Sequence, residues 1–146
     1  MAKIAVVYYS KSGNTEKMAQ LVAEGCKQVP GAEVSLVKLP RANLDEVLDA
    51  DGYCIGSPDY FSYVAGHVKT FFDEALQHKQ ALSGKPFAAF GTHGGGARVL
   101  GHLEQLGQAI GLRRVREGLM CQGAPKAQDE DACRALGRAV AEAAGS

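Results

Sequence analysis

The chain has 146 residues, 46% of them hydrophobic, and its 16 basic and 16 acidic side chains give a formal net charge of zero. This length suits one domain with a sizeable core, and no apolar run is long enough to cross a bilayer. The lack of a basic block argues against nucleic acid as a partner.

The first predicted strand, residues 4–9, leads into a turn rich in hydroxyl groups. This turn reads Ser10-Lys11-Ser12-Gly13-Asn14-Thr15 and precedes a helical pattern. Helix starts present unpaired N–H groups and a partial positive charge, so the turn predicts a phosphate site. It lacks the glycine patterns of dinucleotide folds and P-loops. An ordinary capped helix start is the alternative.

Hydrophobic spacing predicts a strict alternation of strands and helices over the rest of the chain. Helices are expected over residues 15–28, 44–50, 64–78, 99–110 and 129–144, and further strands over 34–39, 52–56, 86–91 and 114–120. Gly101 and Gly107 are expected to break the fourth helix mildly, and Asp129 to cap the last one. Helical crossovers between strands predict a parallel sheet covered on both faces.

Two further segments follow the third and fourth strands, where ligands of such sheets bind. The first reads Pro58-Asp59-Tyr60-Phe61-Ser62-Tyr63, and the second reads Thr92-His93-Gly94-Gly95-Gly96. The aromatic rings suit a wall for a ligand, with packing under the loop as the alternative. Consecutive glycines predict a close approach of the backbone to a ligand, with a flexible surface loop as the alternative.

These three segments resemble the FMN-binding loops of the flavodoxin-like superfamily, between short-chain flavodoxins and flavodoxin-like NAD(P)H:quinone reductases. The resemblance covers nearly the whole chain. It implies one domain over residues 1–146, a three-layer α/β fold with a five-stranded parallel sheet in the order 2-1-3-4-5, and FMN as cofactor. The first segment would hold the phosphate, the second the flavin face, with Tyr60 and Phe61 favoured for stacking, and the third the pyrimidine edge.

Two functional classes agree with the resemblance. One is an oxidoreductase that takes hydride from NAD(P)H and reduces a quinone or similar acceptor, with His93 either as proton donor or as a passive rim residue. The other is a one-electron carrier between redox partner proteins. A protein that has kept the fold but lost the flavin is a third, which the intact first segment argues against.

We favour two-electron chemistry for two reasons. The chain is neutral and has Gly94-Gly95-Gly96 where electron-carrier flavodoxins usually have an acidic rim and an acidic third loop. In such carriers a loop peptide turns over to bond the one-electron-reduced flavin, and Asp59-Tyr60-Phe61-Ser62 has no glycine to ease that turn.

The remaining expectations concern the cysteines and the assembly. The cysteines at positions 26, 54, 121 and 133 show no metal spacing and no Cys-x-x-Cys pair, so free and mostly buried thiols are expected. The chain enters a strand at once, which predicts a cytoplasmic protein without a signal peptide. A homodimer is a further hypothesis, since symmetric dimers are the commonest small oligomers.

Overall fold

The computed structural model describes residues 2–146, in which strands and helices alternate. The strands are β1 (Lys3–Tyr8), β2 (Glu33–Lys38), β3 (Gly52–Pro58), β4 (Pro86–His93), β5 (Arg113–Arg114) and β6 (Leu119–Gln122). The helices are α1 (Asn14–Lys27), α2 (Gly66–Ala75), α3 (Lys79–Leu82), α4 (Val99–Ala109) and α5 (Ala127–Gly145). Short 3₁₀ turns span Val47–Asp49 and Leu76–His78.

The sheet is parallel throughout and follows the order β2-β1-β3-β4-β5, which confirms the predicted α/β fold and strand order. The predicted fifth strand is divided, because β5 and β6 both pair with β4 but at different registers. The Val115 N–H still donates to the Phe87 carbonyl at 3.0 Å, and the chain leaves the ladder at residues 116–118. A Cβ on Gly118 would lie 2.8 Å from the Ala89 carbonyl oxygen, so the two backbones are in close contact there.

Two apolar cores lie on opposite faces of this sheet. Helices α1 and α5 cover the face that carries Val6 and Phe90, whereas α2 and α4 cover the face that carries Val7 and Ile55. Burial on both faces explains the continuous apolar sequences of β1, β3 and β4. Strand β2 is at the edge, and its Leu36 side chain is 43% exposed.

Local packing changes several predicted helices. The predicted helix 44–50 is only a 3₁₀ turn, and α5 begins two residues earlier than expected, with the Asp129 carboxylate accepting the Lys126 N–H at 2.9 Å. The expected break in α4 is wrong. A Cβ on Gly107 would lie 2.4 Å from the Phe87 ring, so this glycine admits a buried ring while the helix continues.

Three further expectations concern the described part of the chain. All four cysteines are buried and free, as predicted. Within residues 2–146, no helix combines the length and the apolar character that a membrane span requires. The same residues include no cluster of His, Cys, Asp or Glu side chains suited to a metal ion.

Helices α1 and α5 touch backbone to backbone through two glycines. A Cβ on Gly25 would lie 1.9 Å from the Arg134 carbonyl oxygen, and one on Gly137 would lie 2.0 Å from that of Val22. The Cys26 thiol donates a hydrogen bond to the Gly137 carbonyl at 3.3 Å. Since backbone atoms cannot rotate aside, neither position has room for a side chain.

We therefore predict that Gly137→Ala destabilises the fold although alanine is the better helix former. Overpacking should outweigh the gain in helix propensity and lower the free energy of unfolding by about 2 kcal/mol. Urea denaturation measures this change.

Gly101→Ala is the matched control, because a Cβ at this α4 position meets no atom within 4 Å. It should raise the free energy of unfolding by up to about 1 kcal/mol. Equal effects of the two substitutions would contradict the proposed close contact.

Candidate functional site

The three segments singled out in the sequence meet at the carboxyl edge of the sheet, around a cleft of about 190 Å³. The cleft is lined by Lys11, Ser12, Asn14, Thr15, Pro58, Asp59, Tyr60, Thr92, His93, Gly94 and Gly123. The other predicted site residues flank this lining: Ser10, Gly13, Phe61, Ser62, Gly95 and Gly96. Parallel strands bring these loops together because their carboxyl ends share one edge.

The first loop leaves backbone amides free at the start of α1. The Ser10 hydroxyl oxygen accepts the N–H groups of Gly13 and Glu16, each at 3.1 Å. Gly13 has a φ of 98°, which glycine adopts at little cost. Within residues 2–146, the N–H groups of Ser12, Asn14 and Thr15 reach no acceptor. The loop therefore offers amides and the positive end of a helix to an anion.

The one acidic side chain in the first turn of α1 is engaged elsewhere. Glu16 accepts a hydrogen bond from the Tyr8 hydroxyl at 3.0 Å and pairs with the Lys38 ammonium at 3.0 Å. The hydrogen bonds from Lys38 and Tyr8 lower the pKa of Glu16. Burial, followed by the bond to Glu16, raises the pKa of Tyr8 to about 12. The charge of Glu16 is thus partly compensated beside the anion loop.

A buried hydroxyl pair joins the first loop to the third. The hydroxyl oxygens of Thr15 and Thr92 lie 2.8 Å apart, and the two residues are 1% and 4% exposed. Because one hydroxyl donates to the other, the accepting hydroxyl keeps its own proton for another acceptor. A ligand in the cleft can receive that proton as a hydrogen bond.

The second loop is a tight hairpin. Tyr60 and Tyr63 exchange two backbone hydrogen bonds of 2.9 Å, and Phe61 and Ser62 between them have φ values of 55° and 66°. Positive φ at both central residues identifies a type I′ turn. Non-glycine residues bear a cost of about 1 kcal/mol each in this conformation. The hairpin is therefore held by contacts outside its own sequence.

The aromatic side chains of this hairpin differ in their surroundings. The Tyr60 ring lines the cleft and meets the Tyr9 ring edge-on at 6.3 Å between centroids. Burial, followed by the neighbouring Tyr9, raises the pKa of Tyr60, so its hydroxyl stays protonated. Tyr63 packs against His102, and Phe61 is fully exposed at the tip. Tyr60 is thus the aromatic wall of the cleft in this structure.

Asp59 connects the second loop to the helix after the third. One carboxylate oxygen accepts the Ser62 N–H at 2.8 Å. The other accepts the N–H groups of Arg98 and Val99 at 3.0 and 3.1 Å, which caps α4 from a distant segment. The sequence predicted Asp59 as a cofactor contact, and the structure places it in the cleft lining with both oxygens bonded to backbone.

The third loop leaves open space and unpaired polar atoms beside the cleft. A Cβ on Gly94, Gly95 or Gly96 would meet no protein atom within 4 Å, so packing within the protein does not require these glycines. Their N–H groups reach no acceptor in the described residues 2–146. The His93 Nδ1 atom is buried and likewise has no hydrogen-bond partner there. The free N–H groups of the three glycines are therefore donors that a ligand in the cleft can use.

Sequence reasoning missed the fourth segment of the cleft and one aromatic residue. Gly123 lines the cleft, and its N–H donates to the His93 carbonyl at 2.9 Å. The Gln122 amide nitrogen donates to the Gly94 carbonyl at 3.2 Å. Tyr9 lies between Tyr60 and His67, 5.1 Å from the His67 ring. A glycine directly after a strand end was the available signal for Gly123.

Comparisons with known proteins agree with this geometry. The family model described as "Flavodoxin" matches residues 6–137. A protein named "Flavodoxin" from Aquifex aeolicus (strain VF5) is 35% identical over 97% of this chain and 86% of its own length. Quinone-oxidoreductase QR2 from Triphysaria versicolor is 36% identical over 64% of this chain and 58% of its own length. The structure of a flavodoxin from the domain Archaea has a TM-score of 0.86 at 25% identity and covers 99% of both chains.

The Tyr8–Glu16 contact predicts how stability depends on pH. The pKa of Tyr8 is raised in the folded state from an ordinary 10.0 to about 12. As pH rises, the unfolded chain therefore loses the Tyr8 hydroxyl proton before the folded protein does. Stability should fall as pH rises from 10 to 12, by at most about 1.4 kcal/mol per pH unit from this group. Tyr8→Phe should reduce that alkaline loss, measured by urea denaturation between pH 8 and 12. An identical pH slope in both proteins would contradict the assignment.

Proposed function

The chain belongs to the flavodoxin family, whose members bind FMN. We propose that it is a two-electron FMN oxidoreductase that passes hydride from NAD(P)H to a quinone or similar acceptor. Membership makes it a flavodoxin-like redox protein with FMN as its cofactor. The reaction, its substrates and the roles of single residues are the proposed part.

The residues of the cleft fit FMN. The free amides of Ser12, Asn14 and Thr15 supply the donors that a phosphate requires, and their helix start supplies a positive potential. The open backbone at Gly94–Gly96 supplies polar groups for a flavin edge, and His93 lines the same cleft. When bound, FMN supplies the centre that accepts and releases electrons. We assign His93 the role of proton donor at this edge.

The observation that carries the two-electron proposal is the type I′ turn at Phe61 and Ser62. If the peptide between them turned over, Phe61 would keep its positive φ while its ψ changed by about 180°. That region of conformational space is open almost only to glycine. This loop therefore opposes the peptide rearrangement that favours a one-electron-reduced flavin in flavodoxin-type carriers.

The charges around the cleft support the same reading. Gly94, Gly95 and Gly96 offer amides to a fully reduced, anionic flavin, in the way that an oxyanion hole stabilises developing charge. Asp59 bonds three backbone N–H groups and Glu16 is paired with Lys38. These donors and the Lys38 ammonium reduce the repulsion that the two carboxylates exert on that anion.

A one-electron carrier between proteins is the second candidate. It is favoured by the 35% identity to the Aquifex aeolicus flavodoxin along nearly the whole chain, whereas the quinone oxidoreductase matches only 64% of it. The chain also has no second nucleotide motif for NAD(P)H. The expected homodimer stays a prediction, tested by light scattering.

Removal of a loop hydroxyl should weaken FMN binding. Ser12→Ala or Thr15→Ala deletes a hydrogen bond to a charged phosphate, worth about 1.5–3 kcal/mol, so affinity should fall roughly tenfold to hundredfold. Fluorescence quenching of FMN by the apoprotein measures it. Ser83→Ala, an exposed hydroxyl before β4, is the control and should bind FMN normally. Riboflavin should bind far more weakly than FMN, and equal affinity would rule out the phosphate loop.

Stepwise anaerobic reduction distinguishes the two candidate functions. With two-electron behaviour, the absorption spectrum should pass from oxidised to fully reduced flavin, with little radical signal by electron paramagnetic resonance at the midpoint. The physical reason is the disfavoured peptide rearrangement at Phe61 and Ser62. A one-electron-reduced flavin as the majority species at the midpoint would identify a carrier instead.

A further inference from the structure

Strand β2 forms one edge of the sheet, and within residues 2–146 it pairs only with β1. The N–H groups of Glu33 and Leu39 donate to backbone carbonyls in segment 2–8, at 2.8 and 2.7 Å. Along a parallel strand, successive residues direct their N–H and C=O groups to opposite sides. The backbone groups that point away from β1, to the free edge, therefore belong to Val34, Leu36 and Lys38.

The composition of β2 does not protect this edge against pairing with another strand. Residues 33–38 contain no proline, and their register with β1 is continuous over all six residues, without a bulge. The central side chain, Leu36, is apolar and 43% exposed. The Lys38 ammonium is paired with Glu16 at 3.0 Å. Edge strands that stay unpaired usually carry a proline, a bulge or a free charge near their centre.

We propose that the β2 edges of two copies of this chain pair around a twofold axis at Leu36 and join the two sheets into one. A twofold axis makes the two strands antiparallel. Leu36 then opposes Leu36 of the second copy, and Val34 of each copy opposes Lys38 of the other. Every outward N–H and C=O group of the three residues finds a partner in this arrangement.

This register satisfies the edge better than its neighbours do. If the axis moved by one residue towards the start of the strand, Lys38 would oppose Ala32, whose N–H is already bonded in a turn. If it moved by one residue towards the end, Val34 would oppose Pro40, which has no N–H. Either shift loses backbone hydrogen bonds, so the axis at Leu36 is favoured.

The charges at the two ends of β2 also suit an antiparallel pair. Glu33 begins the strand and Arg41 follows its end, and both line a groove of about 250 Å³ on one face of the sheet. In the pair, Glu33 opposes Leu39 of the second copy and approaches the Arg41 side of that copy's groove. Opposite charges therefore meet at both ends, and no like charges oppose each other directly along the strand.

Antiparallel pairing leaves both ligand clefts accessible. Each cleft lies at the carboxyl edge of its own sheet, next to β1, β3 and β4. Because the paired strands run in opposite directions, the two clefts lie at opposite edges of the joined sheet. The inference is therefore independent of the reaction that the cleft carries out.

Amide hydrogen exchange at millimolar protein concentration tests the pairing at single residues. The N–H groups of Val34 and Lys38 should exchange at least roughly tenfold more slowly in the native protein than in Leu36→Lys. The Val37 N–H points towards β1, so its exchange should be the same in both proteins. Equal exchange of Val34 and Lys38 in the two proteins would overturn the inference.

A pair of charge variants tests the position of the axis. Leu36→Lys and Leu36→Glu each remove an apolar contact and place like charges opposite each other, so the dissociation constant of the dimer should rise roughly tenfold or more. An equimolar mixture of the two places opposite charges at the axis and should recover the dimer. Sedimentation velocity measures both effects. Leu76→Lys changes another leucine, 52% exposed, and as the matched control should dimerise like the native protein.

Three results would overturn the inference. The first is a native protein that is monomeric at millimolar concentration. The second is a native dimer that both single variants retain, because its interface would then lie elsewhere. The third is a pair of monomeric variants that form no dimer when mixed. If a charged variant fails to fold, Leu36→Thr takes its place, since it keeps strand propensity, removes the apolar contact and should still weaken the dimer.

Discussion

The ligand edge of this protein depends on polar side chains that leave the ends of strands and bind the N–H groups of helix starts. Ser10 holds the first turn of α1, and the Ser57 hydroxyl accepts the Ala65 N–H just before α2 at 2.9 Å. The Asp59 carboxylate accepts N–H groups at the start of α4, although Asp59 follows β3 and α4 follows β4. These bonds set the spacing between loops. The amides that they leave unpaired are the ones available to a ligand.

The electrostatic character of the site therefore comes from the backbone more than from charged side chains. The chain is neutral overall, and the carboxylates of Glu16 and Asp59 beside the cleft are both bonded. Backbone dipoles at helix starts keep their orientation whatever the protonation state of the protein. An anion site built in this way has little dependence on pH near neutrality. Lys11, which lines the cleft, adds a cationic side chain to these dipoles.

The sequence was sufficient for the features that depend on periodicity and on loop position. Alternating strands and helices determine the α/β architecture, and the strand order followed from the resemblance. Features that depend on contacts between distant residues could not be predicted. The bonds from Asp59 to the start of α4 span about forty residues, at separations of 39 and 40. The type I′ turn lacks its usual Asn-Gly signal. A hydrogen bond from the Ser62 N–H to the Asp59 carboxylate stabilises the turn, so the conformational preference of Phe61 and Ser62 could not reveal it.

The glycine contact between α1 and α5 also has a consequence for the order of events during synthesis. Cys26 and Gly137, which are hydrogen-bonded across this contact, are 111 residues apart. Helix α1 therefore gains its contact with α5 only after the residues of α5 have left the ribosome, more than 100 residues later. The anion loop lies at the amino end of that same helix. The arrangement of its amides therefore depends on a contact between two segments that are synthesised far apart in time.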